Sequence, residues 1–199
     1  MAIELGRVDG RRARGLRTRD AIIGALLDLV AQGDVAPTAQ RIAHRAAVSV
    51  RSVYQHFADV EGLYADAAAQ TYERARATAR DLDPSLPVSR RADEFVEGRT
   101  STLEKLLQFH RALRLVEPSS DRVRSHRLEM ERWEKERIRK VFAPELRAMG
   151  ATERSAVLAG IDVLTSADCW DHLRRNGQSA RGARQVVRSG VLCMLGVTG

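Results

Sequence analysis

Lysine is almost missing from this chain of 199 residues: among 33 basic side chains only Lys105, Lys135 and Lys140 are lysines, and the rest are arginine. With 26 acidic residues the formal net charge is +7, a balance that suits a nucleic-acid partner. Arginine richness is equally what the base composition of a genome imposes, so charge alone selects no partner. Cysteine is as scarce. Cys169 and Cys193 stand in separate apolar patterns with no metal-type spacing around them, so both are expected to pack in a core within a reducing compartment. No apolar stretch with a cleavage pattern opens the sequence, and no apolar run approaches a membrane span. Neither a signal peptide nor a membrane partner is therefore expected, and a cytoplasmic location is. G-x-S-x-G, a phosphate-binding glycine loop and H-E-x-x-H are absent, so no catalytic residue, metal site or cofactor is expected. Asp168 and His172 lie one helical turn apart, but one such pair falls short of the three or four ligands a metal needs. No segment alternates with period two, so no sheet is expected, and there is no internal repeat.

What is present is a soluble, globular composition, 44% hydrophobic and 30% charged, with helical periods throughout. The most informative stretch spans 36–63, APTAQRIAHRAAVSVRSVYQHFADVEGL. Thr38 is placed to cap a short helix whose Ile42, Ala43 and Ala46 share one face. Ala47-Val48 makes a turn, and Ser49 can cap a second helix. That helix turns Val53 and Phe57 inward and shows Arg51, Ser52 and Gln55 outward, with Tyr54 and His56 on its flank. Arg and Gln can bond bidentately to guanine and adenine edges in a major groove, whereas hydroxyl and Tyr groups more often hold phosphates. This is the pattern of a helix-turn-helix recognition element, although a solvated helix pair in any all-helical domain would share much of it.

The order I-A-x-x-A-x-V-S-x-x-S-V-Y-x-H-F resembles the DNA-binding segment of the TetR family of transcriptional repressors. It falls here on Ile42, Ala43, Ala46, Val48, Ser49, Ser52, Val53, Tyr54, His56 and Phe57. The resemblance implies that Thr38, Gln40, Ser49, Val50, Arg51, Ser52, Tyr54, Gln55 and His56 form the DNA-facing set. Two positions depart from the family pattern. Ala47 stands where a turn glycine is usual, at a cost of roughly 1 kcal/mol if its φ is positive. Val60 stands where a phosphate-holding lysine is usual.

Before this segment, residues 1–16 read as a flexible basic arm, with Arg7, Arg11, Arg12 and Arg14 among Gly6, Gly10 and Gly15. Such an arm fits phosphate or a minor groove as well as it fits a solvated tail. A helix is expected over 17–31, with Ile22, Leu26, Leu29 and Val30 as its stripe and Gly33 as its stop. A long helix is expected over 59–82, closed by Asp83-Pro84. Further helices are expected over 89–107, 109–116, 121–142, 152–174 and 179–195, with stops before Pro118 and Pro144 and at Gly177.

The last two of these are apolar on several sides. Ala183, Val187, Gly190 or Val191, and Met194 make a stripe, and Gly160, Gly182 and Gly190 allow close approach. Two helices needing cover on several faces point to a homodimer through a four-helix bundle about a two-fold axis. Over 121–142, His126, Met130, Trp133 and Arg137 fall along one stripe. An inward Arg137 would select a carboxylate or phenolate. Ordinary core is the commoner meaning of such a stripe, but the resemblance implies an effector cavity among these middle helices, with Phe95, Leu103 and Phe109 as further walls.

The expected whole is all-α: a three-helix DNA-binding domain over 1–60, then an effector-binding and dimerisation domain over 61–199, about nine helices in total. The resemblance implies a homodimeric repressor of an inverted-repeat operator in double-stranded DNA, responsive to an unknown small molecule, and not an enzyme. A non-specific DNA-binding protein without effector, or an unrecognised helical enzyme, are the alternatives.

Overall fold

The computed structural model describes residues 2–197, with side chains from 12 onward. These residues form ten α-helices, one short 3-10 turn and no strand: α1 (Ala2–Ala31), α2 (Ala39–Arg45), α3 (Val50–His56), α4 (Val60–Thr78), α5 (Val88–Val116), α6 (Asp121–Val141), α7 (Ala143–Ala148), α8 (Ala151–Leu164), α9 (Ala167–Arg175) and α10 (Ala180–Met194). The all-α expectation holds. No helix among the described residues is long and apolar enough to cross a membrane.

Several boundaries differ from the sequence reading. The stretch read as a flexible arm is helical from Ala2, continuous with the helix expected to begin at Arg17. Glycine costs about 1 kcal/mol in a helix interior, and the Arg, Ala, Leu and Glu around it are good helix formers. Of the arm's arginines, Arg12 and Arg14 are exposed, and the side chains of Arg7 and Arg11 lie outside the described residues. Positions 89–107 and 109–116 are one helix, α5. No Gly or Pro separates them; what shifts at Leu107 is the phase of the apolar stripe. Helix α7 was not expected, because Pro144 read only as a stop. It sits in the first turn of α7, where its missing N–H is no loss. The helix read over 152–174 is two. Ser166 Oγ accepts from the Cys169 N–H at 3.1 Å and begins α9 there.

The chain divides into two compact units, Met1–Thr71 with Gln108–His126, and Tyr72–Leu107 with Arg127–Gly199. In the first, α1 buries Ile22, Leu26, Leu29 and Val30, α2 buries Ile42 and Ala43, and α3 buries Val53. Phe57, Leu63, Tyr64, Phe109, Ala112 and Leu113 are buried in the same unit. Tyr64 Oη donates to the Val35 carbonyl at 3.0 Å, which fixes α4 to the loop before α2. Burial and the nearby Asp34 carboxylate push this phenol up to about 12. In the second unit one apolar cluster joins Phe95, Leu103, Phe142, Ile161, Trp170 and Val187, with Phe95 and Phe142 edge to face at 5.6 Å. Helices α8 and α10 pack closely within it. A Cβ at Gly190 would meet Leu164 Cδ1 at 2.9 Å, and one at Gly160 would meet Met194 Sδ at 2.8 Å.

Candidate nucleic-acid interface and a charged cavity

Helices α2 and α3 have the caps that their sequence implies. Thr38 Oγ1 accepts from the Arg41 N–H at 3.3 Å, and Ser49 Oγ accepts from the Ser52 N–H at 3.1 Å. Each hydroxyl spends a lone pair on its helix and keeps its hydrogen for an outside acceptor. The turn between the helices is a Schellman turn. The Ala47 N–H donates to the His44 carbonyl at 3.2 Å, and the Val48 N–H donates to the Ala43 carbonyl at 3.0 Å. This geometry puts Ala47 at φ 54°, the only positive φ at a non-glycine position among the described residues.

With Val53 and Phe57 buried behind α3, its front carries Val50, Arg51, Tyr54 and Gln55, all exposed, and Ser52 and His56, partly exposed. Thr38, Gln40 and Ser49 are exposed beside it. The cations of this face are not equivalent. Arg41 Nε lies 3.1 Å from Asp34, and Arg45 Nη2 lies 2.9 Å from Asp28. Arg51 and Gln55 make no such bond with any described residue, so their donors stay free for an external partner. The rear of α3 is held by Arg19, which sequence reasoning missed. Its guanidinium donates from Nη1 to the His56 carbonyl at 2.8 Å, stacks over the Phe57 ring at 4.5 Å and pairs with Asp66 of α4. A cation at a helix C-terminus complements the helix dipole. Its spacing to Phe57 and Asp66 in sequence carried no signal.

The second unit holds a cavity of about 570 Å³ lined by residues of α4, α5 and α6 and of the segment after α4. Its wall includes Arg80, Asp93, Glu94, Glu97, Arg99, Thr102, Glu134 and Arg137, with Ala75, Ala79, Leu82 and Gly98 as apolar parts. Glu134 is buried between two arginines, Arg99 Nη1 at 2.9 Å and Arg137 Nη1 at 3.3 Å. Arg99 Nε also donates to the Thr165 carbonyl at 2.9 Å. The Arg137 guanidinium faces the Trp133 ring at 5.0 Å and the Phe95 ring at 5.3 Å.

Of the seven residues named from sequence as cavity candidates, Arg137 is on this lining. Phe95, Leu103, Phe109 and Met130 are buried, and Trp133 is half-buried against Arg137. His126 and Phe109 belong to the first unit, and the other five belong to the second. Arg99 and Glu134 were not singled out. Glu134 sits one position from Trp133 on a highly charged helix, and Arg99 reaches it from 35 positions earlier, which no local pattern reveals. Among the described residues no group of three or more His, Cys, Asp or Glu is placed to hold a metal ion.

No family model matches the chain, and no curated protein matches it. Solved structures do. A transcriptional regulator from Rhodococcus sp. Rha1 superposes with a TM-score of 0.72 at 14% identity, covering 89% of this chain and 96% of that one. A TetR-family regulator from Rhodococcus sp. gives 0.66 at 18% identity over 89% and 98%. The multidrug binding protein EbrR, solved with imidazole, gives 0.58 at 20% identity over 86% and 93%. At such identities a likeness speaks for architecture, and the fold of this chain is that of the TetR-type transcriptional regulators.

Proposed function

We propose that the chain is a ligand-responsive transcriptional repressor of the TetR family that binds an inverted-repeat operator as a homodimer. The observation that carries this reading is the front of α3. Arg51, Tyr54 and Gln55 are exposed together on one short helix, and neither Arg51 nor Gln55 is engaged by any described residue. Residues 1–60 are assigned to DNA binding and 61–199 to the effector and the dimer contact. In this reading Arg51 and Gln55 read bases, while Thr38, Ser49 and Tyr54 hold the backbone. Gln40, Val50, Ser52 and His56 complete the contact surface. Exposed Arg12 and Arg14 on the first half of α1 add phosphate contacts.

The dimer contact is assigned to α8 and α10, where Val163, Val186 and Met194 are exposed. Ala183, Val187 and Val191 are buried within the subunit, so a partner would meet α10 through Val186 and Met194, of which Met194 alone belongs to the stripe marked in the sequence. The cavity beside Arg137 is assigned to the effector. Two states with different spacing of the two α3 helices would differ in operator affinity, and the effector would favour one of them by its differential affinity. The three helices with residues in both units, α4, α5 and α6, supply the covalent connection.

The test is selection of duplexes from a random library by the full chain. Recovery of two-fold symmetric sites, bound with an affinity that falls steeply with salt, is the expected result. Equal affinity for selected and scrambled duplexes would replace this reading with non-specific DNA binding. Chemical turnover in the absence of DNA would replace it with an enzyme.

A further inference from the structure

We propose that the cavity takes an amphipathic organic monoanion, its carboxylate held by the in-plane donors of Arg137. This rests on the reading of the cavity as the effector site and adds the chemical class of the ligand. Glu134 is one buried carboxylate between two partly exposed guanidiniums, so the group of Arg99, Glu134 and Arg137 by itself carries one surplus positive charge. A partly desolvated charge without a full partner is costly, and a ligand of opposite sign lowers that cost.

Arg137 is the member with the most capacity to spare. A guanidinium has five N–H donors, and the one hydrogen bond of Arg137 within the described residues is the 3.3 Å contact to Glu134. The guanidinium carbon lies over the Trp133 ring at 5.0 Å and over the Phe95 ring at 5.3 Å. Ring contacts spend no N–H donor, so the remaining donors of Arg137 can serve a carboxylate, which accepts two parallel bonds from a guanidinium.

The hydroxyl hydrogens of the wall are already spent. Ser101 Oγ donates to Glu97 at 3.1 Å, Thr102 Oγ1 donates to the Gly98 carbonyl at 3.1 Å, and Thr78 Oγ1 donates to the Arg74 carbonyl at 2.9 Å. The remaining wall acids do not offer a matching cation site. Asp93 is held by Arg188 at 2.5 Å, Glu94 by Arg90 at 3.0 Å and Glu97 by Arg184 at 2.7 Å. Apolar wall beside these charges leaves room for a hydrocarbon body, and a volume of about 570 Å³ is within the range of ordinary small-molecule sites. A single negative charge matches the single surplus of the triad, which a phosphate dianion would exceed.

The experiment compares octanoate, octanamide and octylamine, and hydrocinnamate with its amide, by calorimetry on the full chain. The acids are expected to bind at least about tenfold more tightly than their amides, the measure of one charge-assisted bond over a neutral one. Octanoate affinity should fall with added chloride while octanamide affinity holds. Arg137→Gln, which can still bond Glu134, should remove about tenfold of acid affinity and leave the amides within about threefold, and Arg137→Lys should restore part of the loss. Thermal melting checks that the variants fold, and the chloride dependence needs no variant. Octanamide or octylamine binding as tightly as octanoate, equal losses of acid and amide in Arg137→Gln, or no binding of any probe would overturn the proposal. Operator binding separates the two readings. If octanoate binds through Arg137 without shifting operator affinity, the anion site stands and the effector reading falls. If octylamine shifts operator affinity and octanoate does not, the effector reading stands and the anion site falls.

Discussion

Arg19 donates to the backbone carbonyl of His56 at 2.8 Å, so a side chain of α1 closes the C-terminal end of α3. The same guanidinium pairs with Asp66, which also accepts from Arg122 Nη2 at 2.8 Å. One carboxylate of α4 thus holds arginines from α1 and from the first turn of α6. Arg19→Met is expected to lower stability by roughly 1.5–3 kcal/mol, the range for hydrogen bonds to charged groups. Because Arg19 seats α3 rather than forming its front, operator and random duplex should lose affinity by the same factor. Denaturant titration and binding to both duplexes check this. A loss confined to the operator would make Arg19 a base reader.

Ala47 at φ 54° is a local conflict between residue and conformation. An L side chain in this region is strained by about 1–2 kcal/mol. Glycine removes the strain but makes the unfolded chain more flexible. Ala47→Gly is expected to stabilise the first unit by about 0.5–1 kcal/mol, and Ala47→Val to destabilise it. Urea midpoints measured on the three chains would show the order Gly above Ala above Val, and any other order contradicts the strain.

This turn also shows what the sequence made legible. The caps at Thr38 and Ser49, the inward pair Val53 and Phe57 and the positive φ at Ala47 all follow from residues within a few positions of each other. Their physics is local, so spacing reveals it. Arg19 beside Asp66, and Arg99 beside Glu134, join residues far apart in sequence. Their meeting depends on how helices pack, which periodicity does not encode. The undivided α5 failed for a related reason. Its apolar stripe changes phase where Leu107 ends one compact unit's share and Gln108 begins the other's, and the shift imitates a chain break. The split between α8 and α9 was concealed in the opposite way, because apolar residues continue on both sides of Thr165 and Ser166.

On the front of α3, Arg51→Ala should lose roughly 1–3 kcal/mol and relax preference at one base position. Tyr54→Phe removes one hydroxyl from an exposed ring and should weaken every duplex alike. Selection from a randomised operator with each variant distinguishes the two. A uniform loss in Arg51→Ala would move that residue to the phosphate-holding set.

Tyr64 sets an alkaline limit. Its phenol is raised from an ordinary value of 10.0 to about 12 by burial and by the Asp34 carboxylate. The folded chain therefore keeps this proton where the unfolded chain releases it. The resulting stability is fully present below pH 10 and is lost as pH rises towards 12. Tyr64 should contribute a phenolate absorbance step near pH 12. In Tyr64→Phe that step should vanish, and the decline of stability across this window should become shallower. Neutral-pH stability should also fall by about 1–2 kcal/mol, because the Val35 carbonyl loses its donor. A step near pH 12 that persisted unchanged in Tyr64→Phe would assign it to another phenol.

The homodimer reading makes a prediction that turns on which side of α10 a residue occupies. Val187 is 1% exposed and lies in the subunit's apolar cluster, whereas Val163 on α8 is 63% exposed and Val186 on α10 is 44% exposed. Val187→Glu puts a carboxylate into a packed core with no partner and should lower the melting temperature of the subunit itself. Val163→Glu and Val186→Glu put the charge at the proposed contact. A two-fold axis repeats each change on both subunits, and like charges then face the same buried patch. Sedimentation of these two variants should show folded monomers at concentrations where the unaltered chain is dimeric. Their operator affinity should drop steeply, since a monomer presents one α3 to a site built for two. A cooperative melt of Val163→Glu with a midpoint independent of protein concentration would confirm that the loss is one of assembly. A Val163→Glu, Val186→Glu double variant that remained dimeric at low micromolar concentration would place the contact on a face other than that of α8 and α10. The small residues Gly160 and Gly190 would then serve only to bring those two helices together within one subunit.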